Sequence, residues 1–238
     1  MDISIVIPAF NEARRIGHTL DRSREFLRQR DWTYELLVVD DGSTDRTCDE
    51  VDARRRDGDD SVTCIRNPGN RGKGFSIRNG VGHASGSVIG FMDADYKTDI
   101  AALDQVMLLI EEGCDGVLGD RTMNASNILV QRRRFRQLGT DLFRGMLHRW
   151  LGLEEFPDTQ CGFKFFRAEV MRDLFARQQV DGYMFDVEIL VIATHAGYDL
   201  RRIPVDWTND PDSRFKPVTG MIRNLRELRR IKASQGRS

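Results

Sequence analysis

Two aspartates separated by one residue carry the clearest chemical signal in this chain of 238 residues. Asp93 and Asp95 directly follow the apolar run 88–92. Paired carboxylates after a buried strand suit a hard divalent cation, which keeps open positions for phosphate oxygens and water. Such a cation would neutralise the charge that develops on a departing nucleoside diphosphate. We therefore expect Asp93 and Asp95 to be metal ligands, with Mg²⁺ or Mn²⁺ as the cofactor.

Two further acidic clusters follow apolar runs near the N-terminus. One is Pro8-Ala9-Phe10-Asn11-Glu12, in which Asn11 is expected to cap a helix, and the other is Asp40-Asp41-Gly42-Ser43-Thr44-Asp45. Each cluster alone could be a turn or a cap. Three such clusters at one edge would repel one another unless a cation or hydrogen-bond donors entered. Asp41 could accept a hydrogen bond from a nucleobase N–H there.

The glycine-rich stretch Gly69-Asn70-Arg71-Gly72-Lys73-Gly74 does not have the pattern of a known nucleotide loop. A P-loop requires Ser or Thr where Gly74 stands, and the spacing of the glycines is not that of a dinucleotide-binding turn. An ATP or dinucleotide site is therefore not expected. What remains is a turn into the start of a helix, with Arg71 and Lys73 available to an anionic ligand.

Short apolar runs alternate with helical patterns along the chain and would position these clusters. Strands are predicted at 3–7, 34–39, 62–65, 88–92 and 116–118, and helices at 16–27, after Lys73 and at 100–112. This alternation predicts right-handed β-α-β crossovers and an α/β fold with a mainly parallel sheet covered on both faces. Ligands of such sheets bind beyond the carboxyl ends of the strands, where the acidic clusters fall.

The composition excludes several classes of protein. With 40% hydrophobic and 31% charged residues, the chain can bury a core. Its apolar runs are much shorter than the roughly 20 residues of a membrane-spanning helix, and its first residues do not resemble a secretory signal, so a cytoplasmic location is expected. The four cysteines are scattered without a C-x-x-C pair, which argues against a disulfide framework or a structural zinc site.

The net charge of −1 hides two basic segments. Residues 132–152 contain six arginines and one aspartate, and residues 213–238 contain eight lysines and arginines and one glutamate. The apolar residues of the first segment recur at helical spacing, which is typical either of a core helix or of a helix at a membrane interface with Trp150 at the boundary. Met221 to Ile231 could form a second such helix. No nucleic-acid-binding motif is recognised, so that partner class is not expected.

The motifs, taken in order, resemble those of the glycosyltransferase family 2 enzymes of the GT-A fold. The likeness covers nearly the whole chain, and within the family it is closest to the polyprenyl-phosphate branch of dolichyl-phosphate β-glucosyltransferases and mannose synthases. The broad family is indicated by segments 6–12, 38–45, 70–74 and 93–95. The branch is indicated by Asp158-Thr159-Gln160-Cys161-Gly162-Phe163-Lys164-Phe165-Phe166 and by segments 185–190 and 204–208.

The resemblance implies one Rossmann-like GT-A domain over residues 1–212, with a basic amphipathic segment, 213–238, packed on or beside it. It also implies a set of donor-binding residues: Pro8, Phe10, Glu12, Val39 and Asp41 around the nucleoside, Asp93, Ala94 and Asp95 at the metal and diphosphate, and Lys73, Arg121, Arg214 and Lys216 near the phosphates or sugar. Arg214 departs from the usual lysine. Thr208 stands where the mannose branch tends to carry arginine, so UDP-glucose is favoured over GDP-mannose as the donor.

The implied reaction is a single in-line displacement, with inversion, by a polyprenyl phosphate at the anomeric carbon. That nucleophile is already anionic and needs alignment more than a base, whereas a hydroxyl acceptor would need a carboxylate to take its proton. The catalytic candidates are Asp95, through the metal, and Asp158, which is expected to be a base, to orient the acceptor or to be a turn carboxylate. Asp186 and Glu188 are expected in structural salt bridges.

Three other functions remain open at this level. A family 2 enzyme could use a soluble or glycan hydroxyl as its acceptor. A nucleotidyltransferase could use the same acidic edge, but it would need a basic glycine-rich loop after the first strand, where Pro8-Ala9-Phe10-Asn11-Glu12 stands. A non-catalytic binding module would leave the paired carboxylates without a role. The expected partners are thus a UDP- or GDP-hexose and a polyprenyl phosphate, reached by peripheral contact at the cytoplasmic face of a membrane.

Overall fold

The structure, a computed structural model, describes residues 1–55, 60–123, 149–208 and 226–233, together with positions 145 and 224. Seven strands form one sheet. They are β1 (Ile3–Ala9), β2 (Tyr34–Asp40), β3 (Val62–Arg66), β4 (Val88–Met92), β5 (Gly116–Asp120), β6 (Phe163–Arg167) and β7 (Leu200–Pro204). The helices are α1 (Ile16–Leu27), α2 (Thr47–Asp52), α3 (Lys73–His83), α4 (Leu103–Glu111), α5 (Ala168–Arg177) and α6 (Phe185–Ala196), and a 3₁₀ turn (Ile100–Ala102) precedes α4.

The spatial order of the strands is β3-β2-β1-β4-β6-β5-β7, and only β6 runs against the other described strands. The predicted mainly parallel sheet is therefore confirmed, and so are the five strands and three helices predicted from the sequence. Because β6 is antiparallel to β4, Phe163 at its start pairs with Met92 at the end of β4. The chain just before Phe163 thus lies at the same edge of the sheet as Asp93 and Asp95.

Apolar side chains cover both faces of the sheet. Along β1, Ile5 and Ile7 pack in the layer beneath α1 and α4, whereas Val6 packs in the opposite layer with residues of α3, α5 and α6. Strands that are buried on both faces consist of nearly continuous apolar residues, which is why they could be predicted from the sequence.

Residues 226–233 are helical, and their Leu228 and Ile231 lie in the same layer as Val6. The division of the chain at residue 212 stays a prediction. Within the described ranges, no helix is long and apolar enough to cross a bilayer.

A buried ion pair joins β6 to α6. Lys164 and Asp186 are almost fully enclosed, with 2.7 Å between Nζ and Oδ1, so the predicted structural salt bridge of Asp186 is confirmed. Burial raises the pKa of Asp186 despite the neighbouring ammonium group of Lys164. Glu188 differs from the prediction, because its carboxylate accepts hydrogen bonds from the backbone N–H groups of Gln179 and Val180.

Close packing between β4 and β6 generates a stability prediction. Gly90 has no room for a side chain, because an added Cβ would lie 1.9 Å from the buried ring of Phe165. We expect Gly90→Ala to destabilise the fold by about 2 kcal/mol through overpacking. The measurement is the midpoint of urea unfolding followed by circular dichroism.

The matched control is Gly82→Ala in α3, where an added Cβ meets nothing within 4 Å. This substitution should leave the urea midpoint unchanged or raise it. The corresponding gain in the free energy of unfolding is at most about 1 kcal/mol, because alanine restricts the unfolded chain. Equal midpoints for the two variants would contradict this description of the β4–β6 contact.

Candidate active site

Four sequence-distant segments meet at the carboxyl edge of the sheet. Lys73 at the start of α3 contacts Asp93, Arg15 before α1 lies near Asp95, and Gly162 before β6 packs against Asp93. The hydroxyl of Thr19 in α1 also donates to the carbonyl oxygen of Ala94 at 2.7 Å. The segments that follow the parallel strands therefore come together at one edge of the sheet, as predicted.

Asp93 is held between a lysine and a glycine. Its Oδ1 accepts a hydrogen bond from Lys73 Nζ at 2.7 Å. A Cβ at Gly162 would come within 2.1 Å of Oδ2, so glycine is required for the carboxylate to fit. Burial alone would raise the pKa of Asp93, but the charge of Lys73, with those of Arg121 and Lys164 further away, lowers it. Asp93 is therefore ionised at neutral pH.

Asp95 uses its two oxygens differently. Oδ2 lies 2.8 Å from Lys97 Nζ and 3.7 Å from Arg15 Nη1. Oδ1 is buried without a hydrogen-bond partner among the described residues. A buried carboxylate oxygen without a partner is costly, and a cation would satisfy it. The residues present therefore fit a divalent metal.

Asp93 and Asp95 would supply only part of the coordination shell. Among the described residues, no group of three or more His, Cys, Asp or Glu side chains is placed to hold a metal. The remaining ligands would have to come from water and diphosphate oxygens, which is the usual arrangement for Mg²⁺ at a phosphate site.

The glycine-rich turn is fixed by Asp41. Its buried carboxylate accepts hydrogen bonds from the backbone N–H groups of Arg71 and Gly72 and from the side-chain amide of Asn67, all at 2.8–2.9 Å. Gly72 has φ 110°, a conformation that favours glycine. Asp41 thereby positions Lys73, the first residue of α3. The contact of Asp41 with a nucleobase stays a prediction. The sequence did not indicate that Asp41 would hold the glycine-rich turn.

Asn11 joins the ends of β1 and β2 and does not cap α1, so that prediction was wrong. It has φ 57°, and its side-chain oxygen accepts hydrogen bonds from the backbone N–H groups of Thr44 and Asp45. The residue that precedes α1 is Arg15, which makes no capping hydrogen bond through its side chain. Arg15 instead forms two 2.8 Å hydrogen bonds to the carboxylate of Glu12.

The other predicted nucleoside contacts differ in their exposure. Phe10 is 42% exposed at the edge of the sheet, and Pro8 is partly buried. The side chain of Val39 is fully buried in the core layer that contains Val6. Only the backbone of Val39 is therefore available to a ligand. Arg214 and Lys216 lie outside the described residues.

Arg121 and Asp158 form a tight pair beside Asp93. Both Asp158 oxygens accept hydrogen bonds from the Arg121 guanidinium at 2.7 Å, and Oδ2 also accepts from the Arg121 backbone N–H at 2.9 Å. Burial would raise the pKa of Asp158, but Arg121 lowers it. A carboxylate that is ionised but already bound twice by arginine is a poor proton acceptor. The geometry therefore favours an orienting role, exerted on Arg121, over the base role.

The segment around Trp207 lies against Lys97 and Thr98, which follow Asp95 in the chain. Thr208 N donates to Lys97 O at 2.8 Å, and Trp207 forms an antiparallel bridge with Thr98. The Arg121 guanidinium lies 5.5 Å from the centre of the Trp207 ring, within range of a cation–π contact. Trp207 and Thr208, the residues that favoured glucose in the sequence, thus lie next to the segment whose Lys97 contacts Asp95.

Sequence reasoning missed Lys97 and Lys164. Lys164 Nζ donates to Cys161 O at 2.6 Å as well as to Asp186, so it holds the turn that carries Gly162. A lysine inside the apolar run Phe163-Lys164-Phe165-Phe166 was a signal for a buried ion pair. The position of Lys97, two residues after Asp95, also made a charge contact there foreseeable.

Comparisons with known proteins agree with this geometry. The family model described as Glycosyl transferase family 2 matches residues 4–175. A dolichyl-phosphate beta-glucosyltransferase of Trichomonas vaginalis, ALG5D, is 33% identical over 239 residues, which cover 96% of this chain and 72% of the relative. The dolichyl-phosphate beta-glucosyltransferase of Homo sapiens is 31% identical, with 95% of this chain and 73% of the relative covered.

Solved structures share the fold. Glucosyl-3-phosphoglycerate synthase from Mycobacterium tuberculosis, in complex with Mn²⁺, uridine diphosphate and phosphoglyceric acid, has a TM-score of 0.68 and 18% identity, with 98% of this chain and 78% of that chain covered. Mannosyl-3-phosphoglycerate synthase from Rubrobacter xylanophilus has a TM-score of 0.71 and 18% identity, with coverage of 100% and 76%. The GT-A fold is thus confirmed.

The family match spans most of the chain, and it contains the acidic clusters at the ends of β1, β2 and β4. The T. vaginalis and human relatives extend the likeness beyond residue 175, to 96% and 95% of the chain. The resemblance found in the sequence is therefore confirmed, and the chain is a glycosyltransferase that belongs to glycosyl transferase family 2.

Proposed function

We propose that this glycosyltransferase transfers glucose from UDP-glucose to dolichyl phosphate or another polyprenyl phosphate, with inversion and with Mg²⁺ or Mn²⁺ as cofactor. The names of the T. vaginalis and human relatives support this acceptor and this sugar. The structural observation that carries the proposal is the bidentate pairing of Asp158 with Arg121. It occupies the carboxylate that was expected to face the acceptor, so Asp158 is not a free base.

The donor side is built from fixed charges. Asp93 and Asp95 would hold the metal, which when bound would neutralise the charge on the leaving diphosphate. Burial disfavours a charged Lys73, but Asp93 raises its pKa above the ordinary value, so Lys73 is an ammonium group at neutral pH. Phe10, exposed at the end of β1, offers a ring face to a nucleobase. Trp207 and Thr208, which contact Thr98 and Lys97, match the glucose branch in sequence and support UDP-glucose over GDP-mannose.

The acceptor side favours a nucleophile that is already ionised. A polyprenyl phosphate needs to be aligned and desolvated, and it loses no proton on attack. Arg121, oriented by Asp158 and by the Trp207 ring, is a cation suited to a phosphate oxygen. A soluble or glycan hydroxyl would need a proton acceptor, and Asp158 is poorly placed to be one. This observation disfavours the alternative acceptor class.

Access to a lipid acceptor is proposed to involve peripheral contact at the cytoplasmic face of a membrane. The helical residues 226–233 bury Leu228 and Ile231 and expose Arg226, Arg229 and Arg230. Trp150 is 45% exposed nearby, with Lys232 Nζ 5.9 Å from its ring centre. Because the apolar face of this helix packs on the core, its attraction to a membrane would be electrostatic, with Trp150 at the interface. Most of segments 132–152 and 213–238 lies outside the described residues.

Turnover should require the donor, the metal and a lipid phosphate together. With UDP-glucose and Mn²⁺ or Mg²⁺, UDP release is expected only when a short-chain polyprenyl phosphate is added. GDP-mannose should be used at least about tenfold less efficiently, which corresponds to about 1.4 kcal/mol of discrimination. The measurement is UDP or GDP release, with mass spectrometry of the glycolipid.

Two controls show whether release reflects the proposed site. EDTA should abolish UDP release, and added Mn²⁺ should restore it. Asp95→Asn should reduce UDP release about a thousandfold, which corresponds to a loss of about 4 kcal/mol of stabilisation by the metal. Equal release with glycerol or a free sugar as the acceptor would reject the lipid-phosphate proposal. Full activity in EDTA would reject the metal.

Asp158→Asn should lower kcat/KM about a hundredfold by releasing Arg121, without changing the shape of the pH profile. The lowered pKa keeps Asp158 ionised at neutral pH, so the acid limb, expected near about pH 6, comes from the second ionisation of the phosphate acceptor. That limb should be the same in both proteins. Its disappearance in the variant would identify Asp158 as a base.

The pH dependence of stability gives a second readout for Asp158. Because its pKa is lower in the folded chain than the ordinary value of 3.8, the ionised group stabilises the fold above that value. This contribution is lost as the pH falls towards the lowered pKa. The difference in unfolding free energy between the wild type and Asp158→Asn should therefore be constant at neutral pH and shrink in acid.

Binding to anionic vesicles tests the membrane contact. The protein should sediment with phosphatidylserine vesicles at low ionic strength and much less with phosphatidylcholine vesicles. Arg226→Gln and Arg229→Gln should each weaken partitioning about fivefold, since each basic residue contributes about 1 kcal/mol. Arg201→Gln, at an exposed arginine on β7, is the matched control. An absence of sedimentation at low salt would reject the membrane contact.

A further inference from the structure

The charges around Asp93 and Asp95 are balanced in pairs. Each carboxylate has its own lysine: Lys73 lies 2.7 Å from Asp93, and Lys97 lies 2.8 Å from Asp95. The neighbouring ionic groups pair in the same way, as Arg15 with Glu12, Arg121 with Asp158 and Lys164 with Asp186. Among the described residues, these five cations pair with five carboxylates, so the ten paired side chains together carry no net charge.

We propose that Lys97 is a built-in counter-cation of the metal site, which makes the divalent ion bind weakly alone and tightly together with the nucleotide diphosphate. The inference rests on the proposed metal-dependent use of a nucleotide sugar. It adds a role for a residue that no sequence motif indicated, and it predicts effects of opposite sign on two binding steps.

The first step is the entry of a free divalent ion. The two carboxylates attract it, but the two ammonium groups repel it from only a few ångströms away. Lys97 and Asp95 are each only 16% exposed, so salt and water screen this repulsion poorly. The two paired lysines therefore weaken the attraction of Asp93 and Asp95 for an isolated Mn²⁺ ion.

The second step is the entry of the ion with a diphosphate. The phosphate oxygens bring the negative charge that the protein lacks, and the same ammonium groups then attract the ligand. Lys97 can take part without leaving Asp95, because it engages Oδ2 while the buried Oδ1 has no hydrogen-bond partner among the described residues. One oxygen of Asp95 is thus held by the lysine, and the other is available to a metal.

The backbone of Lys97 is fixed independently of its side chain. Its carbonyl oxygen accepts a hydrogen bond from Thr208 N at 2.8 Å, and the next residue, Thr98, is bridged to Trp207. A substitution that removes the ammonium group therefore leaves the turn in place. The charge of Lys97 can be tested apart from the path of the chain.

The test is Lys97→Met, with Mn²⁺ binding followed by electron paramagnetic resonance in the whole chain without an acceptor. Without nucleotide, the variant should bind Mn²⁺ about tenfold more tightly than the wild type, since one repelling charge is gone. With UDP present, it should bind the Mn²⁺–UDP pair about tenfold more weakly, since one attracting charge is gone. These opposite shifts are the signature of a counter-cation.

Two variants serve as controls. Lys97→Arg keeps the charge and should retain wild-type values in both titrations. Arg201→Met removes an exposed cation at the amino-terminal end of β7, away from the carboxyl edge, and should change neither. Thermal unfolding of every variant shows whether a change in binding follows from a loss of fold.

Three results would overturn the inference. Weaker binding of free Mn²⁺ by Lys97→Met would mean that the lysine only orients Asp95. Equally tight binding of Mn²⁺ by the wild type with and without UDP would mean that the cluster does not oppose the free ion. No Mn²⁺ binding in any condition would reject the metal site as well. The proposed function can fail separately. If Lys97→Met shows the two predicted shifts in Mn²⁺ binding but the protein does not glucosylate polyprenyl phosphate, the role of Lys97 is supported and only the proposed acceptor is rejected.

Discussion

Two like charges held close together at the end of one strand are the constraint on which this site depends. Asp93 and Asp95 are crowded together, and Arg15 before α1, Lys73 at the start of α3 and Lys97 supply cations to them. Lys73 in turn is placed by a turn of the chain that Asp41 binds through three hydrogen bonds. Asp41, in the acidic cluster after β2, therefore helps to place the lysine that contacts Asp93.

The antiparallel strand β6 determines which residues lie beside Arg121 and Asp93. By running against its neighbours, it brings the turn before Phe163 to the carboxyl edge, with Asp158 on Arg121 and Gly162 on Asp93. The buried ammonium group of Lys164 fixes that turn through Cys161 and anchors it to α6 through Asp186. Burying such a pair is often not the most stable solution for a core, and here it positions Gly162 against the carboxylate of Asp93.

The sequence predicted the elements that repeat a simple physical pattern. Apolar strands, helical spacing and acidic residues after strands indicated the parallel half of the sheet and placed Asp93 and Asp95 at its edge. The antiparallel placement of β6 could not be derived, because apolar periodicity does not encode strand direction. Asn11 was misassigned because an asparagine after a strand suits a cap and a link between turns equally well. The occupation of Asp158 by Arg121 depends on a contact between residues 37 positions apart, which local reasoning does not reach.

The insertion of β6 between β4 and β5 also orders events during biosynthesis. Strands β1 to β4 are direct neighbours in the sheet, and Asp93 and Asp95 follow the last of them. Strand β5 emerges next but has no direct neighbour in that half-sheet until residues 163–167 follow it. Because its two neighbours, β6 and β7, both come later in the chain, β5 has no strand partner on either side while more than forty residues are translated. A ribosome that stalls before that point would release a chain with an open sheet edge, which is a substrate for chaperones and a risk of aggregation.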